Sequence, residues 1–194
     1  MRKSRAETAE TRKRIIEIAA EEIRRNGIQA TGLADVMTKA GLTHGGFYRH
    51  FESKDQLVAE ACATGMAVVL GATEGSAESA TDEDDRKAAF KSIVEQYLSV
   101  EHRDNPSAGC FLAGLGSELA RADAPTRAAS TKAFTDLVEL VARHIRRRKP
   151  EAARADAVFA LSAMIGAITM SRVIDDPAFS ESILEDVKRH LDAL

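Results

Sequence analysis

Along most of this chain apolar residues recur every three or four positions, and no run alternates long enough to make a convincing strand. From Thr8 to Arg25 the stripe is Ile15, Ile18, Ala19 and Ile23, and Asn26-Gly27 supplies the stop. Thr31 stands where it can cap a second helix, Gly32 or Leu33 to Lys39, with Leu33, Val36 and Met37 inward. Gly41 ends that helix because glycine takes the left-handed conformation such a corner needs. Thr43 is placed to cap a third helix over residues 44–50. Ser53-Lys54-Asp55-Gln56 fits an S-x-x-Q capping box and opens a fourth, running through Leu57, Val58 and Ala61 to about Leu70.

Periodicity is lost over 71–85, GATEGSAESATDEDD, which reads as a loop or a frayed helix end. It returns in Arg86–Val100, with Ala89, Phe90, Ile93, Val94, Tyr97 and Leu98, and in the glycine-containing apolar stretch Gly109–Ala120. Thr126–Lys149 carries Phe134, Leu137, Val138, Val141 and Ile145, with Pro150 as its stop. Glu151–Ile174 is apolar on nearly all sides, and Ser180–Leu194 has Ile183, Leu184, Val187, Leu191 and Leu194. The pattern predicts an all-α protein of about nine helices without internal repeats. Its beginning, two short helices about a glycine turn between two longer ones, is a helix-turn-helix arrangement.

Composition agrees: 194 residues, 44 % hydrophobic, four prolines and no tryptophan. The net charge of −3 conceals an asymmetry, because residues 1–57 sum to +3 and residues 58–194 to −6. A basic N-terminal third on an acidic body is the distribution expected where one small module meets a polyanion. The opening MRKSRAETAETRKR has no apolar stretch of a signal peptide, and the longest charge-free apolar segment, Ala157–Ser171, is shorter than the ~20 residues that span a bilayer. Cys62 and Cys110 form neither a disulfide framework nor a ligand cluster, which fits a reducing interior. The expectation is a soluble cytoplasmic protein with no membrane partner.

The densest chemistry lies in GLTHGGFYRHF, residues 41–51. A glycine inside a helix costs roughly 1 kcal/mol relative to alanine, so Gly45 and Gly46 together need a reason, and close approach to a ligand is the usual one. In a helix-turn-helix the third helix lies in the major groove. His44 and Arg49 then offer donors to bases or phosphates, Tyr48 and His50 offer phosphate donors, and Lys54 adds charge at a helix N-terminus. Phe47 and Phe51 should face inward onto Ile15, Ile18 and Met37. The competing reading is a helical hairpin whose glycines merely permit tight packing. For the basic residues Arg2, Lys3, Arg5 and Arg12, a DNA-following arm and a solvated helix start are both open. The run Arg146-Arg147-Arg148-Lys149 is read as a helix end whose cations oppose the helix dipole.

Residues 8–60 resemble the DNA-binding region of the TetR/AcrR family of bacterial transcriptional repressors. The resemblance runs through Arg14-Ile15-Ile16, Ala19-Ala20, Gly27, Thr31, Ala40-Gly41-Leu42-Thr43, Gly45, Phe47-Tyr48-Arg49-His50-Phe51, Ser53-Lys54-Asp55 and Leu57. It implies three helices for DNA and the rest for ligand binding and dimerisation, divided as a DNA-binding domain, 1–52, and an effector-binding and dimerisation domain, 53–194. It places Thr31, Thr43, His44, Gly45, Tyr48, His50 and Lys54 at DNA-contacting positions. Gly32 and Gly46 depart from the family, which often has small hydroxyl residues there, so base readout would rest on fewer groups.

The resemblance also implies a ligand-responsive repressor that grips a palindromic operator as a homodimer through its last two helices, with a monomer core as the competing reading of those helices. Cys62, Met66, Phe90, Tyr97, Cys110, Phe111, Leu115, Glu118, Phe134 and Met164 lie on helices that enclose the family's effector cavity. Tyr97 and Glu118 are polar tips on apolar stretches, to be satisfied by a ligand or internally. No H-E-x-x-H, Glu-x-x-His pair or Cys/His cluster supports a catalytic or metal site, and no cofactor is expected. A thiol sensor acting through Cys110 or Cys62 is the alternative, with Cys110 near a helix start that would favour a thiolate.

Overall fold

The computed structural model describes residues 5–77, 82–145 and 149–194, the side chains of 68–77 excepted. Among the described residues there are nine α-helices, two 3₁₀ segments and no strand. Backbone proximity separates two compact units. One holds residues 1–67 with 110–131, and the other holds 68–109 with 132–194.

In the first unit α1 (Arg5–Asn26) buries Ile15, Ile16, Ala19, Ala20 and Ile23, and Ile16 rather than Ile18 completes its stripe. It stops at Gly27, whose φ of +89° is the left-handed corner expected from Asn26-Gly27. α2 (Leu33–Lys39) ends before Gly41, at φ +71°. Its N-cap is Gly32, and no side chain caps it. Thr31 instead donates its hydroxyl to the Gly27 carbonyl at 2.7 Å, closing the turn behind the helix. The third helix is a 3₁₀ segment, His44–Arg49, and Thr43 gives it no side-chain cap. Six residues containing two glycines have too little helical propensity and length for two α-turns, so the i→i−3 pattern prevails. α3 (Lys54–Ala77) begins with a displaced capping box. Ser53 Oγ accepts from Gln56 N–H at 3.1 Å, but Gln56 Oε1 reaches back to Glu52 N–H at 2.7 Å rather than to Ser53. α6 (Phe111–Leu119) and the first turns of α7 (Ala124–Ala142) complete this unit.

The second unit is built on α4 (Glu83–Tyr97), the short α5 (Val100–Asp104), the rest of α7, α8 (Pro150–Val173) and α9 (Pro177–Leu191). Of the loop or frayed helix end expected over 71–85, α3 supplies helix to Ala77 and α4 is capped by Asp82 on Asp85 N–H, while 78–81 lie outside the described residues. α7 ends at Ala142, well before Lys149, and Arg146–Arg148 also lie outside the described residues. Pro150 does not stop a helix but starts one, at the first position of α8, where its missing N–H costs nothing. Asp123 and Asp176 likewise open α7 and α9 by accepting from Thr126 N–H and Phe179 N–H.

α8 is 24 residues long and apolar enough to cross a membrane by length and composition. Its one buried face, through Ala153, Ala157, Ala160, Leu161, Met164, Ala167, Ile168 and Ser171, packs chiefly on α9. The opposite face leaves Phe159, Met170 and Val173 exposed, and α9 adds exposed Phe179.

Candidate nucleic-acid interface

The 3₁₀ segment is pinned from behind. Phe47 is fully buried and stacks on Phe51, with ring centroids 5.3 Å apart, and Ile15 and Met37 are fully buried too. Arg12 fixes the segment's exit. Its Nε donates to the His50 carbonyl at 3.1 Å, its Nη2 meets Glu60 of α3 at 2.6 Å, and its guanidinium lies 4.6 Å over the Phe51 ring. These engagements give the Arg12 charge partners within the protein, beside the two uses the sequence left open for it. Arg5 is exposed at the start of α1, and Arg2 and Lys3 lie outside the described residues. On the other flank the buried Glu22 carboxylate holds Lys39, at the end of α2, at 2.6 Å, and Arg25 at 3.3 Å.

With the rear so fixed, the front is open. Thr43, His44, Gly45, Tyr48 and Arg49 are exposed, and Gly46, His50 and Lys54 are half-buried. Tyr48 is 67 % exposed, with its ring edge-on to Phe47. Neither Gly45 nor Gly46 has a positive φ. A Cβ built on Gly45 would meet no atom within 4 Å, and one on Gly46 would touch only Met37 Cε and Thr43 Oγ1, both at 3.8 Å. Thus neither backbone conformation nor internal packing requires glycine at either position. Thr31 differs from the other expected contacts, being 5 % exposed with its hydroxyl committed to Gly27.

The expected effector residues are shared between the two units: Cys62, Met66, Cys110, Phe111 and Glu118 fall in the first, and Phe90, Tyr97, Phe134 and Met164 in the second. The Phe111 ring fills the space beside Gly65, where a Cβ would come within 2.1 Å of it, and Arg24 lies 5.2 Å over its face. Glu118 Oε2 accepts the Gln29 N–H at 3.1 Å, satisfying its polar tip internally at the turn that leads into α2. Cys62 is fully buried, and its thiol is pushed up to about 12 by burial, with Asp123 and Glu118 adding to the effect. Such a thiol stays protonated and inert near neutrality, which disfavours Cys62 as a sensor. Cys110 stands at the N-cap of α6, as its position suggested, and is also buried. Tyr97 packs edge-on against His102, centroids 4.7 Å apart.

Two internal contacts were missed or half-seen. Arg12 lies in register with Ile15, Ile16 and Ala19, so a charge on the buried stripe was the available signal. Glu118 was visible as a polar tip beside Leu115 and Leu119, but its partner Gln29 lies 89 residues away and has no periodic signal.

Residues 15–61 match the family described as bacterial regulatory proteins, tetR family, and residues 87–190 match the C-terminal domain of LmrA/YxaF-like transcriptional regulators. The second match alone covers more than half of the chain. TtgR of Pseudomonas putida, an HTH-type transcriptional regulator, is 41 % identical over 58 residues, which are 30 % of this chain and 28 % of TtgR. The HTH-type transcriptional repressor KstR2 of Mycolicibacterium smegmatis is 26 % identical over 98 residues, 50 % of this chain and 47 % of KstR2. The chain therefore spans less than half the length of either curated relative in these matches. Among solved structures, a TetR transcriptional regulator from Chloroflexus aurantiacus shares the fold with a TM-score of 0.78 at 22 % identity, covering 97 % of this chain and 95 % of that one. AibR, solved with isovaleryl coenzyme A and operator DNA, shares it with a TM-score of 0.64 at 16 % identity over 93 % of this chain and 97 % of AibR. Taken with the open 3₁₀ segment, the two family matches place the chain in the TetR family of DNA-binding transcriptional regulators, which are not enzymes.

Proposed function

We propose that this regulator is a cytoplasmic repressor that binds a near-palindromic operator as a homodimer and releases it when a small, mostly hydrophobic effector binds. The observation that carries the reading is Gly45. It is a helical glycine with empty space where its side chain would be, surrounded by the exposed donors of Thr43, His44, Tyr48 and Arg49. Such a position has no internal use, whereas a nucleic-acid backbone or base edge needs the clearance. In this reading residues 1–52 serve DNA and 53–194 serve the effector and the dimer. Lys54 and the α3 N-terminus take a phosphate, Tyr48 and His50 take phosphates at the flanks, and His44 and Arg49 reach base edges.

The dimer reading is supported by the unpartnered face of α8 and α9, where Phe159, Met170, Val173 and Phe179 are exposed around small Ala163 and Gly166. Two recognition segments would then address half-sites one helical turn, ~34–36 Å, apart. An effector lined by some of Cys62, Met66, Phe90, Tyr97, Cys110, Phe111, Glu118, Phe134 and Met164 would act by favouring a DNA-incompetent setting of α3.

The test combines operator selection from random duplexes with sizing and light scattering of the free protein. A dimer with a preferred palindrome is expected; a monomer that binds all duplexes equally would overturn the reading. A thermal-shift screen of metabolites, followed by operator release, then tests the effector step.

A further inference from the structure

A cavity of about 430 Å³, which shares only Phe90 with the expected effector residues, lies within the second unit at the ends of α4, α7 and α9. α7 finishes in three tightened turns, where Arg143, His144 and Ile145 N–H donate to Leu140, Val141 and Ala142 carbonyls at 3.3, 3.0 and 3.3 Å. These turns put His144 on the cavity wall, 7 % exposed, with neither ring nitrogen hydrogen-bonded among the described residues. Two orphaned imidazole nitrogens at nine-tenths burial are costly, and a native site normally satisfies them.

Among the described residues the charged side chains facing this cavity are Glu83, Asp84, Arg86 and Lys87 of α4, Arg143 after α7, and Asp192 after α9, with Leu194 beside them. Of these side chains, the two that act on His144 are the guanidiniums. Burial first, then Arg143 and Arg86, hold its pKa below the ordinary imidazole value. Neither Arg143 nor Arg86 makes an ion pair among the described residues. Buried Phe90 and Ile145 supply an apolar wall. An unpartnered imidazole with the exposed guanidiniums of Arg86 and Arg143 on the same wall, beside an apolar surface and in a volume within the ~300–1,000 Å³ usual for ligand pockets, suits a carboxylate with a hydrocarbon body.

We infer that this cavity is a binding site for a small organic carboxylate, with its carboxylate on His144, Arg143 and Arg86 and its hydrocarbon body against Phe90 and Ile145. Guanidinium and carboxylate make charge-assisted bonds. The incoming negative charge offsets the two cations and lets the imidazole take up a proton, so both ring nitrogens become donors. Binding is thereby linked to proton uptake. The sign follows from the two states: His144 is neutral when free and favours the imidazolium when occupied. Affinity therefore falls as pH rises through the interval between the two pKa values. None of this depends on the operator reading, because the site is measured without DNA.

The experiment is calorimetry of the full chain with benzoate as the probe and benzamide as its neutral isostere, in buffers of different ionisation enthalpy. His144 is followed by imidazole NMR. Saturable benzoate binding with proton uptake and a shifted His144 resonance is expected, with benzamide weaker by at least about tenfold for the lost charge-assisted bonds. His144→Gln should abolish the proton uptake. Arg143→Gln, at an exposed position and so harmless to folding, should weaken benzoate by about tenfold while leaving benzamide unchanged. Equal binding of benzoate and benzamide, binding without change at His144, or no saturable binding would overturn the inference.

Discussion

Gly45 and Gly166 are both helical glycines whose missing side chains would have met nothing within 4 Å. One sits among Thr43, His44, Tyr48 and Arg49, the other on the face of α8 that exposes Phe159, Met170 and Val173. The same vacancy has opposite chemistry around it. Bare backbone ringed by donors suits a polyanion with a polar edge, whereas bare backbone on an apolar stripe suits a second helix at close range. A glycine is informative less by its presence than by its surroundings.

The contrast breaks most sharply at the apolar face. On the proposed dimer, Phe159→Asp should give a monomer and abolish specific operator binding, because a twofold interface would lose the ring twice, about 3–6 kcal/mol in all. Light scattering at micromolar concentration measures it, and an unchanged dimer would remove α8 from the proposed interface. Gly45→Val should lower operator affinity by about 2–3 kcal/mol, a cost comparable to one good base contact. By contrast, Gly45→Ala should stabilise the fold by up to about 1 kcal/mol while still weakening DNA. Melting temperature and operator affinity moving in opposite directions is the signature; parallel movement would make the glycine structural.

Within the donor ring, His44→Ala should relax base preference by about 1–3 kcal/mol at one position. Tyr48→Phe and Lys54→Ala should instead weaken all duplexes alike, and Lys54→Ala should lower the salt slope by about one unit. A uniform loss for His44→Ala would exchange these roles. The smallest effect is alkaline. The Cys62 thiol titrates near 12 when folded against 9.0 ordinarily, so the stability it contributes is complete below 9 and is lost as pH rises toward 12. Cys62→Ala melts should be flatter than those of the parent above pH 9, and a native Cys62 that reacts with iodoacetamide at pH 7 would contradict its burial.

Most of the helices were legible because burial repeats along the chain: Ile15, Ala19 and Ile23 announce α1 as clearly as Leu137, Val138 and Val141 announce α7. Boundaries were less so where one residue type has two uses. Pro150 ends helices and starts them, and only the arrangement at residue 149 decides. Thr31 caps in principle, but the turn at Gly27 took its hydroxyl first. Of the proposed DNA face, the exposure of His44, Tyr48 and Arg49 agrees with their polar type and spacing. The internal use of Arg12 was not, since its acceptors on His50 and Glu60 come from two other elements. The cavity at His144 had no sequence signal, because three helix ends meet there and periodicity describes helix middles.

The bond from Gln29 to Glu118 has a consequence in time. Its partners are separated by 89 residues, and a ribosome adding about 5–20 residues per second needs several seconds to supply the second after the first. The 3₁₀ segment and the first turns of α3 are synthesised within that interval, while the backbone N–H of Gln29 is served by water. Contacts between distant residues are the slow ones to form. The turn between the first two helices is thus among the earliest parts of the chain to be made, yet it is not finished until α6 has been synthesised.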